Sequence, residues 1–298
     1  MKKLKCVTSI CLFGTNLIRL NDKPYHLGIS GATKRLFQYL LISLGHDSRR
    51  EYLAELFWRN ATPDKQRSAL NSAIWRIKRQ LSGLSGIEIV SHGPTIALQL
   101  GSDVNVDSLE LAEIVHSISQ DELMSEQMAQ RLHLALDHCD APFLDGVNSE
   151  WVLSERERLF NLQIRGMITL MHWLGQKGRY EDALEIGRRL LDIDPAREAA
   201  QCEMMLLYVL NGQRAQAIRQ YHVFRSWLKR ELGIDPMLET KVLYDFIRMG
   251  MNDEKSPSLS HTLDHKTGEA KAQSIRMLLN TMSRSRRELY EAFNSQLL

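Results

Sequence analysis

Residues 62–81 read TPDKQRSALNSAIWRIKRQL, and this stretch decides the fold because its side chains repeat with helical spacing. Thr62 can cap a helix, Pro63 suits its first position, and Asp64 favours the positive end of the helix dipole. At 100° per residue the apolar side chains share one stripe, made of Leu70, Ala73, Ile74, Ile77 and Leu81. The opposite face carries Lys65, Ser68, Ser72, Trp75, Arg76 and Arg79, with Asn71 and Lys78 on its flank. Such a helix either enters a DNA groove or is an ordinary solvated surface helix, and its own residues favour neither.

The charge of the chain is divided between two blocks. Residues 1–100 hold 15 Lys and Arg against 6 Asp and Glu, a net charge of +9, whereas residues 101–250 hold 16 against 24, a net charge of −8. Residues 251–298 add +1, which gives the whole chain its formal net charge of +2. A basic block followed by an acidic one predicts two domains with different partners. The partner of the first, basic domain is expected to be a polyanion.

Composition predicts a two-domain globular protein of the cytoplasm. The 298 residues are 44% hydrophobic and 25% charged. No stretch approaches the roughly 18 apolar residues of a membrane span, so we expect no membrane partner. Lys2, Lys3 and Lys5 imitate the start of a signal peptide, but Thr8 and Ser9 interrupt a short apolar run that has no cleavage site. Because no Cys-x-x-Cys is present, we expect reduced thiols at Cys6, Cys11, Cys139 and Cys202.

The basic block has the element pattern of a winged helix-turn-helix. The predicted order is strands at 4–13 and 16–20, a third short strand near 25–27, helices at 32–44, 49–58 and 63–81, and strands at 87–90 and 95–100. Ser48 and Glu51 fit a capping box for the second helix. Three helices whose last member is basic, followed directly by a hairpin, are typical of the winged form of this DNA-binding motif.

From about residue 103 the pattern predicts only helices. They are expected at 106–118, 121–138, 149–175, 180–191, 196–210, 214–231 and 237–248. Gly178 and Ala183 recur as Gly212 and Ala217, an offset of 34 residues that is the tetratricopeptide period. The predicted fold is therefore an α+β winged helix followed by an all-α tetratricopeptide-like repeat domain.

The predicted domain limits follow from these changes of pattern. They are 1–101 for the DNA-binding domain, 102–250 for the helical domain, 251–268 for a polar linker and 269–298 for a last helix. The apolar face of that last helix would cover the repeats, pair with a second subunit or dock a partner, and the sequence does not choose among these roles.

Several short motifs resemble the Streptomyces antibiotic regulatory protein (SARP) family, in which an OmpR-like winged helix precedes a bacterial transcriptional activator domain. The motifs are Lys34-Arg35-Leu36, Leu56-Phe57-Trp58, Ile77-Lys78-Arg79-Gln80-Leu81, Pro142-Phe143-Leu144-Asp145-Gly146 followed by Trp151, and Glu231-Leu232-Gly233-Ile234-Asp235-Pro236. The resemblance covers about residues 5–250. It implies a transcriptional activator that binds promoter double-stranded DNA, often as a homodimer on direct repeats, and contacts RNA polymerase.

The resemblance also implies which residues meet DNA. On helix 63–81 these are Arg67, Ser68, Asn71, Ser72, Trp75, Arg76, Lys78 and Arg79, with Arg49 and Arg50 at the start of the second helix. We expect at least one of Asn71, Ser72, Trp75 and Arg76 to contact a base, and Lys78 and Arg79 to contact phosphates. The alternatives are that these polar groups meet only phosphate or solvent, that Trp75 packs half-buried, and that Arg49 and Arg50 are plain surface.

The sequence departs from the family in its wing. Where the family usually carries a Gly-Tyr-Arg-Leu-like turn, residues 93–98 have neither Tyr nor Arg, which leaves His92 and Thr95 as weak candidates for contact. We therefore expect helix 63–81 to carry more of the DNA contact than is usual.

No catalytic motif and no cofactor site is predicted. Neither a phosphate-binding loop nor a Gly-x-Ser-x-Gly nucleophile setting is present, so we expect no enzyme. The only cluster of metal-ligand types is His133, His138, Cys139 and Asp140, and its spacing favours ordinary helix surface over a metal site. Two other functions stay open. They are a repeat scaffold with only non-specific nucleic-acid binding, and a sensor that holds a small molecule in the repeat concavity.

Overall fold

The structure is a computed structural model that describes residues 8–14, 18–21, 23–120 and 124–249. Its strands are β1 (Thr8–Ile10), β2 (Ile18–Leu20), β3 (Lys23–Tyr25), β4 (Ser48–Arg49), β5 (Ile87–His92), β6 (Thr95–Leu100) and β7 (Val104–Val106). Its helices are α1 (Gly31–Ile42), α2 (Arg50–Trp58), α3 (Pro63–Leu81), α4 (Asp107–Gln120), α5 (Glu126–His138), α6 (Glu150–Gln176), α7 (Tyr180–Ile193), α8 (Glu198–Leu210), α9 (Arg214–Glu231) and α10 (Leu238–Met249). The predicted linker at 251–268 and the predicted helix at 269–298 lie outside the described residues.

Two small sheets flank the first three helices. One sheet has the strand order β3-β2-β1-β7, and the other has the order β4-β6-β5. The hairpin β5–β6 is antiparallel and in register from Ile87↔Leu100 to His92↔Thr95, and it forms the wing. Helices α1, α2 and α3 pack through fully buried Leu36, Phe37, Leu53, Leu70 and Ile77. The predicted winged helix is therefore confirmed.

Two local predictions are wrong. The change to purely helical structure at residue 103 is interrupted by β7, which pairs in parallel with β1 in the register Thr8↔Val104. A three-residue strand has too little alternation to be seen in sequence. The capping box at Ser48 does not form, because Ser48 pairs with Ile96 in the wing sheet and Arg49 takes the N-cap position of α2. Thr62 is the N-cap of α3 as predicted, although its hydroxyl makes no capping hydrogen bond.

Asp107, the first residue of α4, ties this helix to strand β1. Its carboxylate accepts hydrogen bonds from the backbone N–H groups of Leu12 at 2.8 Å and Phe13 at 3.1 Å, and from that of Ser108 at 2.7 Å. Burial raises the pKa of Asp107, and the three N–H donors partly offset that rise. A carboxylate in the first turn of α4 thus accepts hydrogen bonds from backbone N–H groups of the winged helix.

The Pro142-to-Gly146 motif docks on the same strand end. The N–H of Leu144 donates to the carbonyl of Leu12 at 2.7 Å, and the rings of Phe13 and Phe143 lie 5.4 Å apart. Leu144 has a left-handed φ of 45°, an unusual conformation for a residue with a side chain. The Arg156 guanidinium holds this turn by donating to the carbonyls of Phe143 and Leu144, each at 2.8 Å.

The chain divides into two compact units, residues 1–163 and 164–298. The first unit holds the winged helix together with α4, α5 and the start of α6, and the division falls within α6. The predicted boundary at residues 101 and 102 lies inside this first unit, so the domain limits 1–101 and 102–250 stay a prediction.

Within the second unit the 34-residue repeat is visible in the backbone. Gly178 and Gly212 both take left-handed φ angles, 76° and 74°, at the turns before α7 and α9. The N–H of the following residue closes each turn, Arg179 onto the carbonyl of Leu174 at 3.0 Å and Gln213 onto that of Tyr208 at 2.7 Å. The repeated alanines Ala183 and Ala217 are fully buried. The helical-hairpin repeat is therefore confirmed.

Three of the four cysteines lie among the described residues. Among the described cysteines Cys139 and Cys202 are buried and Cys11 is half-buried, while Cys6 lies outside the described residues. Burial raises the pKa of Cys202 to about 11, which keeps its thiol protonated at neutral pH. Among the described helices none is both long and apolar enough to cross a membrane.

Candidate nucleic-acid interface

Helix α3 is fixed along its length by one buried stripe. Leu70, Ala73, Ile74, Ile77 and Leu81 are the buried members, as predicted. Near its start, the Gln66 side chain donates to the carbonyl of Trp58 at 3.1 Å. Near its end, the Gln80 side chain accepts from the N–H of Gly28 at 3.2 Å. Because both ends are held, the remaining face of α3 is presented as a rigid surface.

Every residue predicted to meet DNA from α3 lies on that exposed face. These residues are Arg67, Ser68, Asn71, Ser72, Trp75, Arg76, Lys78 and Arg79. At 100° per residue Ser68, Ser72, Trp75 and Arg79 lie along its middle, with Asn71 and Lys78 on one flank and Arg76 on the other. Trp75 is 59% exposed, so it does not pack half-buried. The Arg79 guanidinium lies over its ring, 5.2 Å from the centroid, a cation–π contact that orders both side chains.

Arg50 connects three parts of the surface. Its backbone N–H donates to the carbonyl of Pro94 in the wing turn at 2.9 Å. Its guanidinium donates to the Oδ1 atom of Asn71 in the middle of α3. A guanidinium only donates, so this contact fixes which way the Asn71 amide points and leaves its Nδ2 group turned to the other side. Arg50, which was predicted to contact a DNA phosphate, thus hydrogen-bonds to Asn71, which was predicted to contact a base.

The wing offers little to a phosphate. Arg49 is exposed and pairs through its backbone with Thr95 at the start of β6. The Thr95 hydroxyl lies 2.9 Å from a carboxylate oxygen of Asp47 and 3.1 Å from the carbonyl of His92. His92 is exposed. A carboxylate at this position repels DNA phosphates, which agrees with a wing that lacks Tyr and Arg.

Sequence reasoning missed two of these features. The position of Asp47 could not be predicted, because nothing in the sequence places it against Thr95, 48 residues later. The pairing of Arg50 with Asn71 joins residues 21 apart on different helices, and only the crossing of α2 and α3 brings them together. Neither contact can be predicted from the periodicity of the sequence.

The metal-ligand types near residue 138 do not converge. His133 and Asp137 lie 3.8 Å apart on one face of α5, while Cys139 is buried beyond the end of that helix. Among the described residues no group of three or more His, Cys, Asp or Glu side chains is placed to hold a metal ion.

Comparison with known proteins adds three findings. Residues 107–248 match the family model of the bacterial transcriptional activator domain. The chain is 26% identical over 217 residues to the transcriptional regulatory protein MoaR1 of Mycobacterium bovis, a match that covers 69% of this chain and 68% of the relative. It is 23% identical over 205 residues to the regulatory protein AfsR of Streptomyces coelicolor, a match that covers 68% of this chain and 20% of the relative.

The fold is also similar to that of a solved structure. This is Mycobacterium tuberculosis EmbR in complex with a low affinity phosphopeptide, which matches with a TM-score of 0.65 at 18% identity. The match covers 93% of this chain and 71% of that chain. It agrees with a winged helix followed by a helical domain.

Proposed function

Because residues 107–248 form a bacterial transcriptional activator domain and the chain is a SARP-like transcriptional regulator, we propose that it binds promoter DNA sequence-specifically through α3. The observation that carries this proposal is the exposed face of α3, where eight predicted contact residues share one rigid surface. Its length of 19 residues and its basic last turn suit a helix that lies in a major groove with phosphates along its sides.

The exposed residues near the midpoint of the helix supply base contacts in this proposal. Asn71 donates from Nδ2 to a base acceptor, because its Oδ1 atom is already held by Arg50. Ser68 and the exposed ring of Trp75 lie beside it and meet base edges or a thymine methyl group. These contacts confer sequence preference.

The basic side chains of the face supply phosphate contacts. Lys78 lies on one side of the face and Arg76 on the other, while Arg79 is steadied by the Trp75 ring. Each phosphate contact releases counterions, so it adds affinity for any sequence and steepens the dependence of binding on salt. Arg67 is only loosely held, since its guanidinium lies 3.9 Å from the exposed carboxylate of Asp64.

A gel-shift titration with the chain's own upstream region tests the proposal. Arg76→Ala and Arg79→Ala are expected to weaken binding about tenfold each, and Arg79→Ala to lower the salt slope by about one unit. Arg131→Ala on α5 is the matched control, because Arg131 is an exposed arginine on a helix that does not belong to the winged helix. Equal binding by the wild type and all three variants at moderate salt contradicts a role for the face of α3.

The helical domain recruits RNA polymerase or a partner protein in this proposal. Its support is the activator-domain match over residues 107–248, together with regulators as the matching relatives. We further propose binding as a dimer on direct repeats and contact with polymerase through the connection between α2 and α3. Transcription reconstituted from purified polymerase and promoter DNA tests recruitment, since a protein that only binds DNA leaves the transcript level unchanged.

A further inference from the structure

A cavity of about 720 Å³ lies in the first compact unit, and its lining residues include none from α3. Its walls come from α1, from the end of α2 and from residues 145–151, which begin with the last two residues of the Pro142-to-Gly146 turn. This volume falls within the range of small-molecule sites, roughly 300–1,000 Å³. The lining combines charged, amide and aromatic side chains.

Gln38 on α1 is the first sign of an occupant. The residue lines the cavity and is only 4% exposed, and its Oε1 atom is buried with no hydrogen-bond partner. A buried acceptor without a donor is costly, and native proteins rarely keep one unless a ligand or water satisfies it. The carboxamide of Gln38 therefore points to a ligand that carries a hydrogen-bond donor.

Cationic side chains are the second sign. Lys34, Arg35 and Arg59 line the cavity and are exposed. Among the described residues none of these three side chains forms an ion pair. Asp145 and Glu150 also line the cavity, which leaves an excess of one positive charge. This balance favours an anionic group together with hydroxyl or N–H donors for the carboxylates.

Aromatic rings complete the site. Phe57 and Trp151 line the cavity with their centroids 6.3 Å apart. Tyr39 braces both rings edge-on, at 5.9 Å from Phe57 and 5.4 Å from Trp151. Held aromatic rings at a cavity wall offer a packing surface to a planar group of the ligand.

We propose that this cavity binds a small organic anion that carries a planar ring and hydrogen-bond donors. In this arrangement Lys34, Arg35 and Arg59 hold the anionic group, the ring packs against Trp151 and Phe57, and a ligand donor satisfies Gln38. The site joins the winged helix to the first residues of α6, so an occupant strengthens the contact between α1, α2 and that segment. The proposal stands independently of DNA binding.

Thermal-shift and calorimetric titration of the full chain test it. The probes are the four ribonucleoside monophosphates, phenylpyruvate and salicylate, with adenosine and inorganic phosphate as half-ligand controls. We expect at least one probe to bind with a Kd below about 1 mM and to raise Tm by about 3 °C or more at saturation. Adenosine and phosphate alone are expected to bind at least tenfold more weakly than the probe.

Two variants separate this cavity from the DNA-binding face, which also attracts anions. Arg35→Ala is expected to weaken probe binding about tenfold, and Arg131→Ala, its charge-matched control, to leave it unchanged. Gln38→Leu is expected to weaken the probe at least fivefold while raising the Tm of the free protein, because it removes the unpaired acceptor. Failure of every probe, equal binding of inorganic phosphate, or unaltered binding by Arg35→Ala overturns the proposal.

Discussion

At the scale of single residues, the contact between Arg50 and Asn71 is the most informative feature of the surface. Arg50 anchors its backbone to the wing turn and its side chain to the middle of α3. One residue therefore positions the amide that we assign to base recognition. If the Asn71 amide loses its orientation, we expect a larger change in sequence preference than in overall affinity for DNA.

Arg50→Ala tests this division of roles. Without the guanidinium the Asn71 amide rotates freely, so discrimination at one base pair is expected to fall by about 1–2 kcal/mol, roughly 5- to 30-fold. Arg49→Ala is the neighbouring control, and its expected effect is a uniform loss across sequences. Competition binding against a set of single-base operator variants measures both. An Arg50→Ala protein that weakens all variants equally contradicts a positioning role.

At the scale of elements, α3 and the repeat helices were predictable, whereas the short strands β4 and β7 were not. The bounds of α3 follow from Pro63 at its start and from an apolar stripe that ends at Leu81, before Ser82 and Gly83. Strand β7 was missed because three residues carry no periodicity and their partner β1 lies at the start of the chain. Local patterns reveal long amphipathic helices, and pairing between distant segments needs the folded structure.

The close packing of α7 on α8 gives an element-scale prediction. A Cβ added at Gly187 meets the side chains of Met204 and Met171, both fully buried. Gly187→Ala is therefore expected to destabilise the protein by about 1–3 kcal/mol through overpacking, although alanine favours a helix. Glu185→Ala, on the exposed side of the same helix, is the control and is expected to change stability by less than about 0.5 kcal/mol. Urea unfolding measures both, and equal stabilities contradict close approach.

At the scale of the whole molecule, charge and compactness divide the chain at different places. The basic block ends near residue 100, yet the first compact unit continues to Gln163. The reason is that Asp107 and the turn at Leu144 bind the backbone of Leu12 and Phe13. The Pro142-to-Gly146 stretch was recognisable in the sequence as a family motif. Its docking beside the end of β1 was not predictable, because it depends on a contact between residues about 130 positions apart.

Footprinting tests the central claim, sequence-specific DNA binding through α3, most directly. DNase I protection of the upstream region by the full chain is expected to show a discrete site with direct-repeat half-sites. Asn71→Ala is expected to lose that site and keep weak, uniform binding at low salt, because phosphate contacts remain. A wild-type chain that protects no discrete site, or an Asn71→Ala chain that gives the same footprint, would contradict the account.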